Sequence, residues 1–341
     1  MPRGAVKSRM NRLITVIVCG TALLTAVAVI FALRSRRRPL PPPDVPAVLS
    51  PAEVHVRAVK WNAAPLEQGA VAAASWTVAI VCGNGATADR YEARNGALRS
   101  IARRRDLPKG DVAALMDYLR AADSAMRIER VAALKNDVMN LLRNQEPPVA
   151  GLAETLIGMF EGQSPTPNSP TPNSPTHRHP PAVLDYCIQH LGAMQGGIRD
   201  GALRARVHAV LVKATRRKNM PYAGTALYSL AADRRATPQQ LEELKRLTLA
   251  LCAADANTAA RIAAIQLAGE RGYGEALPIL RKALSSPRRD AVLDIVAIGS
   301  IGLLGDFSDI SRLSHFIKCD SRRALAAEAA IRRINERSGA K

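Results

Sequence analysis

Aromatic side chains make up only 4% of this 341-residue chain, and acidic ones are outnumbered by basic ones, 29 against 48. With so few rings there is no stacking platform for single-stranded nucleic acid, and no specific nucleic-acid partner is expected. The core must instead come from Ala, Leu, Ile and Val, which favours helices packed close together. Cysteine is also sparse. Five residues, at 19, 82, 187, 252 and 319, form no CxxC, which excludes a dense disulfide framework; the ordinary role for scattered cysteines is as small buried hydrophobes. Two disulfides among the last four remain an open alternative. The motifs of common catalysis are missing too: none of the six histidines (His55, His177, His179, His190, His208, His315) sits in HExxH, no serine sits in GxSxG, and no glycine loop leads into Gly-Lys-Ser/Thr. The Glu242-Glu243 pair lies in an amphipathic helical pattern and reads as solvent face. The expectation is therefore no catalytic, cofactor-binding or metal-binding residue, with an enzyme of unknown class kept as an alternative.

The excess of base gives a net charge of +19. Residues 1–60 hold ten Lys/Arg and two Asp/Glu, so much of that excess lies at the start of the chain. Residues 1–12 form a basic tail. The run 13–33, LITVIVCGTALLTAVAVIFAL, is 21 residues without a charge and reads as a transmembrane helix. Small residues at 26–28 also suit a cleaved signal peptide, but the apolar run continues into the basic cluster Arg34, Arg36, Arg37 and Arg38. Residues 34–54 read as a basic, Pro-rich spacer containing PLPPPDVP. The expected setting is a single-pass inner (cytoplasmic) membrane protein. It would contact lipid through 13–33 and the flanking basic residues, with its larger domain on the periplasmic or extracytoplasmic side.

Residues 55–106 give a mixed signal. Trp76 to Val81 reads equally as a short strand or a small helix, and CGNG at 82–85 as a turn. Helical periodicity is clear over 107–163, through Leu115 and Leu119, then Val131, Leu134, Val138, Leu141 and Leu142, then Gly151 to Gly162. A low-complexity loop at 164–181 repeats SPTPN. His177 and His179 within it, with Cys187 and His190 just beyond, can be drawn as a metal set, although a core cysteine and a helix histidine are the simpler roles.

Within residues 182–337, read as the repeat region, an offset of 33 appears from Ala264 onward. Ala264-Ile265, Ala297-Ile298 and Ala330-Ile331 align, as do Ala268, Ile301 and Ile334. Gly269 aligns with Gly302, Gly272 with Gly305, Leu277 with Ile310, and Leu280 with Leu313. The glycines fall at the end of a first helix, where small residues permit tight packing and φ above zero permits a turn. A fixed period built of two apolar-faced helices is the mark of an α-solenoid. The segment AARIAAIQLAGERGYGEALPILRKAL resembles a HEAT repeat of the short bacterial type, most clearly over 259–337. The resemblance implies an all-α fold, a right-handed α-solenoid of helix pairs, and a scaffolding role in protein binding. Some relatives act in tetrapyrrole attachment, and no residue here carries that chemistry over.

The sequence thus predicts a membrane-anchored, non-catalytic, protein-binding scaffold, with a self-associating envelope protein, and so a homo-oligomer, as the alternative. Candidate contact residues lie on second helices and connectors: Arg281, Lys282, Arg288, Arg289, Arg312, His315 and Lys318. Their charge predicts an acidic protein partner.

Overall fold

A computed structural model describes residues 75–83, 90–121, 126–162, 179–253, 255–285 and 290–339, all within one unit, 68–341. These residues form fourteen α-helices and no strand: α1 Trp76–Val81, α2 Tyr91–Ile101, α3 Lys109–Arg120, α4 Ile128–Arg143, α5 Leu152–Glu161, α6 Pro181–Gln195, α7 Gly201–Arg216, α8 Tyr222–Ala231, α9 Pro238–Ala253, α10 Thr258–Glu270, α11 Leu277–Leu284, α12 Ala291–Leu304, α13 Ile310–Ser314 and α14 Ser321–Gly339. The fold class is all-α.

Local sequence fixes many of the helix starts. Asp200, Asn257 and Asp290 accept from the first free backbone N–H groups of α7, α10 and α12. At α9, Thr237 Oγ1 accepts from Gln240 N while Gln240 Oε1 accepts from Thr237 N, with Pro238 in the first turn. The ambiguous stretch 76–81 is a helix: Ser75 Oγ accepts from Val78 N, and Ser75 itself donates through N and Oγ to the buried Asp111.

The helices alternate between two rows. Each even-numbered helix from α2 to α12 packs on the next even one, while each odd helix pairs with the even helix that follows it. From α6 onward the even row closes on small residues. Gly192 faces Ser229, Gly224 faces Ala260 and Ala263, Gly269 faces Ser300, and Gly302 faces Ala330. At Gly302 a Cβ would lie 2.7 Å from Ala330 Cβ and 2.8 Å from its Cα, so backbone as well as side chain stands in the way. Ser300 Oγ also donates to Ile265 O across the α10–α12 junction at 2.9 Å. The aligned residues Ala264, Ile265, Ile298, Ile301 and Ile334 are buried in this row, Leu280 and Leu313 are buried beneath the odd row, and Leu277, Ile310 and Ile331 are half-buried.

The odd row is looser. Helices α7 and α9, and α11 and α13, approach each other far less closely than even-row neighbours. Polar bridges span these junctions: Arg120 to Thr155 Oγ1 (2.9 Å), Lys213 to Glu161 (3.7 Å), Arg216 to Glu243 (3.1 Å), Lys245 to Glu275, and Arg281 to Asp309 (2.7 Å).

The two aligned turn glycines act differently. Gly272 takes φ +71°, the left-handed turn expected, whereas Gly305 has φ −75°. Gly305 is needed for space instead, since a Cβ there would collide with the Asp309 carboxylate and lie 2.7 Å from Ile301 O.

The membrane reading is corrected by the helices themselves: among the described residues none is long and apolar enough to cross a membrane. The longest, α14, carries Arg322, Arg323, Glu328, Arg332, Arg333, Glu336 and Arg337 along its length. The 13–33 run lies outside the described residues. So do the 34–54 spacer, the greater part of the SPTPN loop, and His177.

Candidate functional site

Much of the chain's basic excess is used internally. The last carbonyls of a helix lack partners and carry its negative dipole end. Here cations from neighbouring elements donate to them. Arg94 donates to Val81 O after α1, Lys135 to Leu119 O and Ala121 O after α3, Arg235 to Gln195 O and Ile198 O after α6, Arg271 to Ala231 O after α8, Arg261 to Cys252 O after α9, and Arg337 to Gly302, Leu303 and Gly305 O after α12. These side chains are structural and leave correspondingly less charge for a partner.

Two of the sequence-predicted contact residues share that fate. Arg281 donates through Nε and Nη2 to the two oxygens of Asp309 at 2.8 and 2.7 Å, and Arg312 Nη1 reaches Asp309 Oδ1 at 3.2 Å. The Asp309 side chain is fully buried, and both arginines are partly covered. Arg281 is held charged more firmly by this hydrogen bond, its pKa raised. Asp309 is a residue that sequence reasoning missed. Its counterpart one repeat earlier is Ala276, so the 33-residue offset gave no signal for it.

Lys282, His315 and Lys318 are exposed. Arg288 and Arg289 lie outside the described residues. The exposed three stand where odd helices end and even helices begin, and this edge gathers more. Lys218 and Arg322 are exposed there, and none of these five side chains is tied to a carboxylate by an ion pair among the described residues. The connections along the edge are linked, since Asn257 N donates to Lys218 O at 2.9 Å. Among the described residues, five of the eight large apolar side chains that stand exposed lie on the same edge: Ile128, Met220, Val292, Ile317 and Leu325, the last at 66% exposure. Val292 and Leu325 are 33 residues apart and repeat one position on α12 and α14. Cations interleaved with exposed apolar groups suit a protein surface that supplies carboxylates around an apolar contact.

The opposite edge is laced shut. Gln145 and Glu146 bond to Arg104 O, Arg105 and Leu107 N, and the Arg235, Arg271 and Arg337 caps lie along it.

The cysteines are free thiols in the described residues. Burial pushes Cys187 and Cys252 up to about 12 and Cys82 up to about 11, which leaves them protonated and unreactive at neutral pH. His190 is buried on α6 with Nε2 3.2 Å from Asn136 Oδ1, and burial, reinforced by Arg143, lowers its pKa to about 4. Among the described residues no three His, Cys, Asp or Glu side chains gather to hold a metal ion.

No family model matches the chain, and no curated protein matches it significantly. The lipid contact through 13–33 with its flanking basic residues, and the single-pass inner-membrane placement that followed from it, are corrected on the same ground as the anchor. No described helix can cross a bilayer.

Proposed function

We propose that the chain is a HEAT-like repeat protein, its helix pairs forming a right-handed α-solenoid, and that it binds an acidic protein partner along the odd-to-even edge. The observation that carries this reading is the concentration on that edge of Lys218, Lys282, His315, Lys318 and Arg322 together with Met220, Val292, Ile317 and Leu325. Cations without internal partners steer and orient an acidic surface, and the apolar groups supply the desolvated contact that charge alone does not. The two rows of helices support the repeat reading by the way neighbours bury what each helix pair leaves exposed. Arg281 and Arg312 contribute indirectly by fixing the connection that presents His315 and Lys318.

The test is affinity capture with quantitative mass spectrometry, comparing the wild-type chain with a Lys218→Glu, Lys318→Glu, Arg322→Glu variant. Partners retained by the wild type in low salt are expected to be acidic and to be lost both in high salt and on the variant. Retention unchanged in both cases contradicts the reading.

A further inference from the structure

One of the loose junctions of the odd row, that between α7 and α9, holds an open cleft. Between α7 and α9 lies a space of about 350 Å³ lined by His208, Ala209, Val212, Lys213, Arg216 and Glu243. That volume is at the small end for ligand cavities. Ala209 and Val212 give it an apolar floor, and its walls are charged. Arg216 closes α7 only two residues before Lys218, so the cleft runs into the edge described above.

The electrostatics of the cleft are incomplete in a specific way. Glu243 Oε1 takes Arg216 at 3.1 Å and Arg246 at 3.5 Å, and Lys213 lies 3.7 Å from Glu161. Three cations against two carboxylates leave one positive charge. His208 is only 16% exposed; its Nε2 stands 3.6 Å from Glu243 Oε2, beyond hydrogen-bonding range, and is buried with no hydrogen-bond partner. A buried imidazole nitrogen without a partner is costly, and the cost is recovered when a partner arrives. One residual charge matches one carboxylate. A phosphate dianion would meet Glu243 as a second, uncompensated negative group.

We propose that the α7–α9 cleft is the anchor pocket for a single Asp or Glu side chain of the acidic partner, held by Lys213, Arg216 and the Nε2 of His208. The proposal rests on the reading of an acidic partner and assigns it a place. Lys213 and Arg216 keep more than half of their side-chain surface exposed, so their remaining N–H groups can donate to an incoming carboxylate. His208 donates in the tautomer that carries its proton on Nε2. The apolar floor packs against the stem of the entering side chain.

The experiment uses an eight-glutamate peptide as probe, titrated into the full chain at low salt by calorimetry and by NMR of the histidine rings. The wild type is expected to bind and to move the His208 ring signals. Lys213→Gln with Arg216→Gln should weaken binding about tenfold, whereas the same charge loss at the exposed Arg332 and Arg333 of α14 should change it less than about twofold. Both variants are checked for retained helix content. Equal effects of the two variants, or an unmoved His208 signal on binding, overturn the pocket while leaving the basic edge standing. That edge fails separately if Lys218→Gln, Lys318→Gln and Arg322→Gln together leave peptide affinity unchanged, and absence of any binding to the wild type overturns both.

Discussion

The two rows of helices are held by different forces. From α6 to α14 the even row closes by contact between glycine and alanine or serine, with carbonyl caps from Arg235, Arg271 and Arg337 and one ion pair, Arg323 to Asp294 at 3.1 Å. Its neighbours interlock and have little room to shift. The odd row is spanned by long charged side chains reaching across gaps. The exposed pairs among them are individually weak, screened by salt, and tolerant of changes in spacing, Arg281 with the buried Asp309 being the exception. One row therefore sets the geometry of the array, and the other adjusts and carries the open cleft.

The comparison breaks most directly at Gly302. Replacing it with Leu drives side-chain atoms into the Ala330 backbone and is expected to cost about 3 kcal/mol, read by urea unfolding. Adding Ala330→Gly should recover only part, because the Cα clash remains. A cost below about 1 kcal/mol would mean that the α12–α14 junction is not tightly closed.

In the odd row, the buried carboxylate of Asp309 is expected to matter more than the exposed pairs. Asp309→Ala leaves Arg281 and Arg312 without their shared acceptor and removes the bond to Asp306 N, at a cost of about 2 kcal/mol in the same assay. Acid should act on the even row first, through His190 between α4 and α6. Its folded pKa, about 4, lies below the ordinary 6.5, so the unfolded chain takes up the proton first. Stability is unaffected above about pH 7 and falls as the pH drops from 6.5 toward 4, by about 1.4 kcal/mol at about pH 5.5. His190→Gln should flatten that part of the profile. The smallest effect belongs to Arg216→Ala, expected within about 0.5 kcal/mol and undetectable in high salt.

How much of this could be read in the sequence follows from where each signal is stored. The even row was legible because its contacts repeat: Gly269 and Gly302 recur at one offset, and so do Ile265 and Ile298. The all-α class followed from the same periodicity. The odd-row bridges were not legible, because Arg216 to Glu243 and Arg281 to Asp309 link residues at unequal separations, and a charged side chain does not announce its partner. Arg281 and Arg312 were therefore predicted as contact residues when Asp309 already holds them. The role of Gly305 was hidden for a similar reason, since the need for space arises from Asp309, which has no acidic counterpart at Ala276. The carbonyl caps belong with these. A surplus of arginine reads as surface charge until the helix ends that absorb it are placed.

The most direct test of the unequal rows is amide hydrogen exchange at low salt and at about 1 M NaCl, where the screening length shrinks to about 3 Å. The account predicts that α7, α9 and α11 exchange faster at high salt while α8, α10 and α12 keep their protection. Equal loss in both rows, or loss confined to the even row, would contradict it.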